Sequence, residues 1–130
     1  MSQFTAQIAA FAEDAKRKME LVVKQSAQDV GEIAQRPVAK GGNMPIDTGF
    51  LRNSLVAGLN GTTSLSGPDA YVLAIAGAEL GDTIFFGWTA SYARFVEYGT
   101  QGRAGRFFML NAAQQWPQIV ARNAEKARAL

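Results

Sequence analysis

The sequence predicts an α+β domain with a long N-terminal helix, a small antiparallel β-sheet of three to four strands, a short helix and a C-terminal helix. Three observations carry that expectation. Between Phe4 and Ile33 apolar residues recur in steps of three and four; between Leu51 and Thr89 the pattern breaks into short apolar runs divided by turn residues; from Ala90 the helical period returns. With 130 residues, 48% of them hydrophobic, the chain can build one core and is too short for two, so a single domain over 1–130 is expected.

The long helix, over 1–35, rests on Phe4, Ile8, Phe11, Ala15, Met19, Val22, Ser26, Val30 and Ile33, which share one stripe. Glu13, Lys16, Arg17, Glu20, Lys24, Asp29 and Glu32 occupy the opposite face. About thirty helical residues span roughly 45 Å. That exceeds a compact domain of this size, so either one end projects or packs on a neighbouring subunit, or the helix lies on its own sheet, broken near Gly31. Arg36-Pro37 ends it, because proline disfavours the helical conformation at the residue before it, and 36–47, with VAKGGNMP, is expected to be a flexible loop. Residues 48–89 are expected to form a short turn and then the sheet. Its strands would be SLVAGLNG, AYVLAIAG and DTIFFGWT, bounded by Asn60-Gly61, Gly67-Pro68-Asp69 and Gly81-Asp82. In 90–130, Tyr92, Phe95, Val96 and Tyr98 have helical spacing that closes at Gly99, and a loop covers 99–106. The segment from Arg106 onward is a C-terminal helix in which Pro117 imposes a kink or a fresh start.

Composition removes several kinds of chemistry. The chain has no cysteine and no histidine, so thiolate metal sites, thiol nucleophiles, histidine triads and histidine zinc sites have no ligands or bases to use. Thirteen basic and eleven acidic side chains give a net charge of +2 without a polybasic block. The charge is uneven: 1–47 is neutral, 48–91 carries −2 and 92–130 carries +4. The opening MSQFTAQIAAFAEDAKRK has acids in its first turns and no uninterrupted apolar run. This argues against a signal peptide or membrane anchor, and a soluble protein made in the cytoplasm is expected.

The tripeptide Asp47-Thr48-Gly49 is the signature of a retroviral-type aspartic protease. In such an enzyme the carboxylate leaves a buried strand and shares a proton with its copy across a dimer. Here the motif leaves KGGNMPI, with only Ile46 as an apolar lead, and runs into FLRNSL, whose Phe50, Leu51 and Leu55 suit a helical turn. Asp47 is therefore read as an N-cap accepting from the free amides of that turn. The pairs Glu13/Asp14, Asp29/Glu32 and Glu79/Asp82 fall on a solvated face or in a turn, where ordinary surface charge explains them. GTQGRAGR lacks the lysine and hydroxyl of a phosphate loop. Phe85, Phe86, Trp88 and Tyr92 could stack bases, but strand alternation sends about half of such residues into a core. Arg103 and Arg106, in their glycine-rich loop, suit contact with phosphates or with an acidic partner surface, and equally a solubilising loop. A dimeric aspartic protease and a small basic nucleic-acid-binding module thus stand as the alternative functions.

Two stretches read together resemble one family. Ile46-Asp47-Thr48-Gly49-x-Leu51-Arg52-x-Ser54 is followed some forty residues later by Tyr92-Ala93-x-x-Val96-Glu97-Tyr98-Gly99-Thr100, and then by an aromatic-led helix beginning Arg106-Phe107-Phe108-Met109. This order is similar to that of the tail-completion or minor tail proteins, the head-tail joining or neck components, of long-tailed double-stranded DNA bacteriophages. The likeness runs from the first helix to the last. Relatives often carry proline before the last helix where this chain has Gly105-Arg106-Phe107, so a less rigid loop is expected.

The resemblance implies a non-enzymatic morphogenesis protein with no catalytic residues, metal or cofactor. It would be assembled in the host cytoplasm and placed in the virion neck between connector and tail tube. Tail terminators among the relatives form sixfold rings, so the implied partners are further copies of the chain, connector and tail-tube proteins, and at most a weak, sequence-independent touch of DNA in a channel. On that reading Asp47 is a cap and Arg52 its local or intersubunit partner. Tyr92, Phe95 and Tyr98 are sheet-packing or interface aromatics, and Arg103, Arg106 and Phe107 belong to the contact surface.

Overall fold

The computed structural model describes residues 3–46 and 49–130. Gln3–Gln35 form α1, 33 residues long. At about 1.5 Å per residue it runs roughly 50 Å, whereas a compact chain of this length is only about 36 Å across. One end must leave the body, and it is the first. Residues 3–13 are all exposed, while the buried positions, Ser26, Ala27, Gly31, Ala34 and Gln35, lie in the last third. The helix ends before Pro37 as expected. The segment after it is less free than its glycines suggest: Val38–Lys40 make a 3-10 turn, and Val38 and Met44 bond back across the loop through Val38 N to Met44 O (3.0 Å) and Met44 N to Arg36 O (3.2 Å). Met44 is completely buried.

After Gly49, in the left-handed region at φ 81°, Phe50–Asn53 form the single turn α2. Leu55–Leu59 (β1), Leu65–Ser66 (β2) and Ile84–Trp88 (β3) make an antiparallel sheet in the order β2-β1-β3, with Leu55 opposite Trp88 and Leu59 opposite Ile84. The expected strand AYVLAIAG is instead α3, Ala70–Ala76. Its buried residues Ala70, Tyr71, Ala74 and Ile75 recur at helical, not alternating, spacing, and together with Leu55 and Ala57 of β1 and Ala27 of α1 they build one core cluster. Ala70 and Ala74 let the helix approach the sheet closely, and a strand there would put Tyr71 and Ile75 on the face opposite to them. The short β2, drawn from the turn-like stretch before Gly67, takes the missing place in the sheet.

Ala93–Tyr98 form α4. A hairpin follows, with β4 at Gly99–Thr100 and β5 at Arg103–Ala104, then α5 at Phe108–Gln114 and α6 at Trp116–Arg128. Pro117 sits in the first turn of α6, where its missing N–H costs no intrahelical bond, so it imposes a fresh start. Phe108 carries a second core cluster with Met44, Leu51, Ala90 and Ala93. Trp88 joins the two clusters, its ring edge-on to Phe108 at 5.0 Å and to Phe86 at 6.3 Å.

α1 is held by α6, α5 and α3. A polar clamp locks α1 to α6. The buried Asn123 amide donates to Ser26 Oγ (3.1 Å) and Asp29 Oδ2 (2.9 Å), and Arg122 lies 3.6 Å from the same carboxylate. Burial pushes the Asp29 pKa up, but the amides of Asn123 and Gln25 and the charges of Arg122 and Lys126 outweigh it and hold the carboxyl below its usual range. A folded-state pKa below the unfolded value of about 3.9 stabilises the fold above that pH, and the contribution is lost as pH falls through the folded value.

Two outcomes follow for stability. Gly31→Ala, which in an open helix would gain from propensity, is expected to destabilise by about 1–3 kcal/mol in chemical denaturation, because a Cβ there would stand 2.5 Å from the buried Tyr71 ring. Asp29→Asn is expected to flatten the fall of melting temperature on acidification below about pH 4, so that mutant and wild type converge there.

Candidate functional site

The core is built from small side chains. Among the described residues, ten of the seventeen buried apolar ones are alanines, while Phe4, Phe11, Phe50, Phe95 and Tyr98 stay more than half exposed. Much of the exposed surface of the described residues is therefore apolar, and a large open groove lies beside the second sequence motif. α4 supplies one wall through Tyr92, Phe95 and Val96, the hairpin supplies the other through Arg103 and Arg106, and Pro45 also lines it. Its volume is about 880 Å³.

The hairpin that forms the second wall is pinned, which corrects the expectation of a free loop over 99–106. Arg106 N donates to Val96 O (2.7 Å), Phe107 N to Glu97 O (3.1 Å), and the Asn43 side-chain amide to Arg106 O (2.9 Å). The turn-back needs two glycines. Gly99 sits at φ 90°, and a Cβ on Gly105 would run into the Glu97 carbonyl.

What fixes α4 against α5 is a residue whose role the sequence analysis did not identify. Glu97 is 2% exposed, and its carboxylate accepts from the amides of Met109 (2.8 Å) and Leu110 (2.9 Å) in the first turn of α5. Those amides have no partner within their own helix, and Phe107, at the cap position with φ 50°, supplies none from its side chain. Two signals for it exist in the sequence. Glu97 stands four residues after Ala93 and so on the same, buried face of α4, and Arg106-Phe107-Phe108-Met109 opens a helix without a serine, threonine, aspartate or asparagine to cap it.

Of the predicted site residues, the structure brings Tyr92, Phe95, Arg103 and Arg106 to this groove. Tyr92 also stacks on Phe50 with ring centres 5.9 Å apart, which ties the Leu51-Arg52 motif to the Tyr92 motif. Tyr98 lies on another side of α4, beside Arg94 and Met109. Phe107 is exposed and is not among the residues that line this groove. Arg52 is exposed on α2, next to Arg36 and Lys40 over Tyr71, at a separate cleft of about 210 Å³. Asp47 lies outside the described residues, and the position before α2 is held by Gly49 with no side-chain cap. The paired carboxylates find structural partners: Glu13 with Lys16, Asp14 with Arg17 and Lys18, Asp29 in the clamp, and Asp82 accepting from the Glu79 amide. Among the described residues no three potential ligands gather into a metal site.

Residues 2–99 match the family model described as "Bacteriophage HK97-gp10, putative tail-component". No curated protein and no solved structure matches the chain. The matched span takes in α1 through α4 and ends at Gly99. The hairpin, α5 and α6, which the resemblance was read to include, lie beyond it.

Glu97→Gln keeps the shape of the carboxylate but sets an amide donor against one of the two backbone donors. It is expected to cost about 1–3 kcal/mol, read as a lower denaturant midpoint, with helix signal lost from the C-terminal third first in hydrogen exchange.

Proposed function

The chain belongs to the HK97-gp10-like family of bacteriophage tail components, and from that membership we propose that it is a structural virion protein that completes the tail at the head-tail junction, joining the connector to the tail tube. The observation that carries this reading is its surface. Compact monomers of 14.0 kDa expose about 6,700 Å² by the usual scaling, yet this chain exposes 8520 Å². The excess, roughly 1,800 Å², is about what one protomer covers in two standard interfaces, at about 800 Å² per partner in each, and large apolar side chains on α1, α4 and α5 stand exposed. Such a protomer is built to be covered by neighbours. In this reading copies assemble into a ring in the neck, hexameric as in tail terminators, with connector and tube proteins above and below.

The role is architectural, not catalytic. Among the described residues, those just before the motif form only an isolated bridge between Pro37 and Met44 and those after it form α2, so no described strand of a sheet leads into or out of Asp47-Thr48-Gly49. Arg103 and Arg106 share their groove with aromatic rings, which favours a protein partner, and DNA in a channel meets them only weakly through phosphates. No helix among the described residues is long and apolar enough to cross a membrane, and the proposed place of action is the virion, after assembly in the host cytoplasm.

Deleting the gene from an inducible phage is expected to leave filled heads and tails unjoined in electron micrographs, with infectivity restored by expression of the chain in trans and the protein present in purified wild-type particles. Fully infectious, correctly joined particles without it would overturn the proposal.

A further inference from the structure

We propose that the projecting first turns of α1 from one copy seat in the Tyr92–Phe95 groove of the next, making the contact between copies head-to-tail. The inference rests on the assembly reading above and names the two surfaces that would meet.

The occupant has the form of a helix-in-groove ligand. Phe4, Ile8 and Phe11 stand at i, i+4 and i+7, the spacing of three anchors on one helical face, and they are 69%, 53% and 76% exposed. Among the described residues none covers them. α6, the main partner of α1, has 13 residues and covers about 20 Å of a helix roughly 50 Å long. The far end of α1 is fixed to the body by the Asn123 clamp and by Gln35, whose amide donates to Pro68 O (2.8 Å), so the helix cannot fold back onto its own groove.

The receiving surface fits in size and charge. At about 880 Å³ the groove lies in the upper part of the range that holds whole ligands of several apolar groups. Arg103 and Arg106 on its rim enter no ion pair with the described residues. Residues 3–12 of α1 carry no charge, and the next two are Glu13 and Asp14. Their pairs with Lys16, Arg17 and Lys18 are solvent-exposed, so little opposes their turning toward two free guanidiniums. The charge also sets direction: Glu13 and Asp14 lie toward Arg103 and Arg106, and the positive N-terminal end of α1 lies away from them, near Pro45. Helix and groove are different patches of one protomer, so the contact is heterologous and propagates from copy to copy, closing into a ring where the rotation permits.

The test uses the full chain and two variants followed by mass photometry and sedimentation over a concentration series. One variant is Phe4→Asp with Phe11→Asp, which breaks the helix face, and the other is Phe95→Asp with Arg103→Glu, which breaks the groove. All four side chains are exposed, so both variants should keep the wild-type melting temperature. The expected result is that wild type forms oligomers with rising concentration, each variant alone stays monomeric, and an equimolar mixture gives a dimer that grows no further, since only one intact helix and one intact groove remain. A wild type that stays monomeric throughout, a variant that assembles like wild type, or a mixture without heterodimer overturns the proposal. If wild type and both variants assemble alike, copies meet elsewhere and the tail-joining reading stands. If particles lacking the chain are infectious and fully joined, that reading falls whatever the association data show.

Discussion

One buried carboxylate holds the C-terminal half of this protein together. Glu97 lies near the end of α4 with its side chain buried, and among the described residues it enters no ion pair. Its charge is instead satisfied by two backbone amides at the start of α5. A buried carboxylate is costly unless it accepts such bonds, and a helix start is costly unless its amides find acceptors, so each removes the other's penalty. The same residue's main-chain oxygen receives Phe107 N, which returns the hairpin to α4. Phe108 is thereby delivered to the core against Trp88, and Arg103 and Arg106 are delivered to the groove.

A second constraint is the mismatch between a long helix and a small core. Alanine at ten buried positions, and Gly31 where α1 meets the Tyr71 ring, permit close packing but little apolar volume. The larger side chains are left outside, on the first turns of α1 and along α4 and α5. In a monomeric enzyme this surface would be a liability toward aggregation. In a component covered by neighbours, as proposed here, it is the binding capacity of the molecule, and the family to which the chain belongs is one of bacteriophage tail components.

The groove proposed as an assembly surface is formed without a contiguous binding motif. Its walls come from Pro45 and, nearly fifty residues later, from α4 and the hairpin that directly follows it. The Phe50–Tyr92 contact and the Asn43–Arg106 bond hold those segments in register. The two motifs that carry the family resemblance therefore meet in space. The second supplies groove residues directly, and the first supports them through Phe50.

The sequence alone determined the elements whose signals are local or long. The limits of α1 follow from a stripe of nine residues and from Pro37, β1 and β3 from apolar runs between turn residues, α4 from aromatic spacing closed by Gly99, and the break before α6 from Pro117. It did not determine α3, because seven alanine-rich apolar residues fit a buried strand and a buried helix equally, and only their packing on β1 decides. Nor did it determine which face of α1 is inside: the large stripe residues are exposed at one end while Ala27, Gly31 and Ala34 are buried at the other, since burial depends on what α6, α5 and α3 can reach. The Glu97 cap and the groove likewise belong to tertiary structure, because the atoms that complete them come from different elements that meet only once the hairpin folds back on α4.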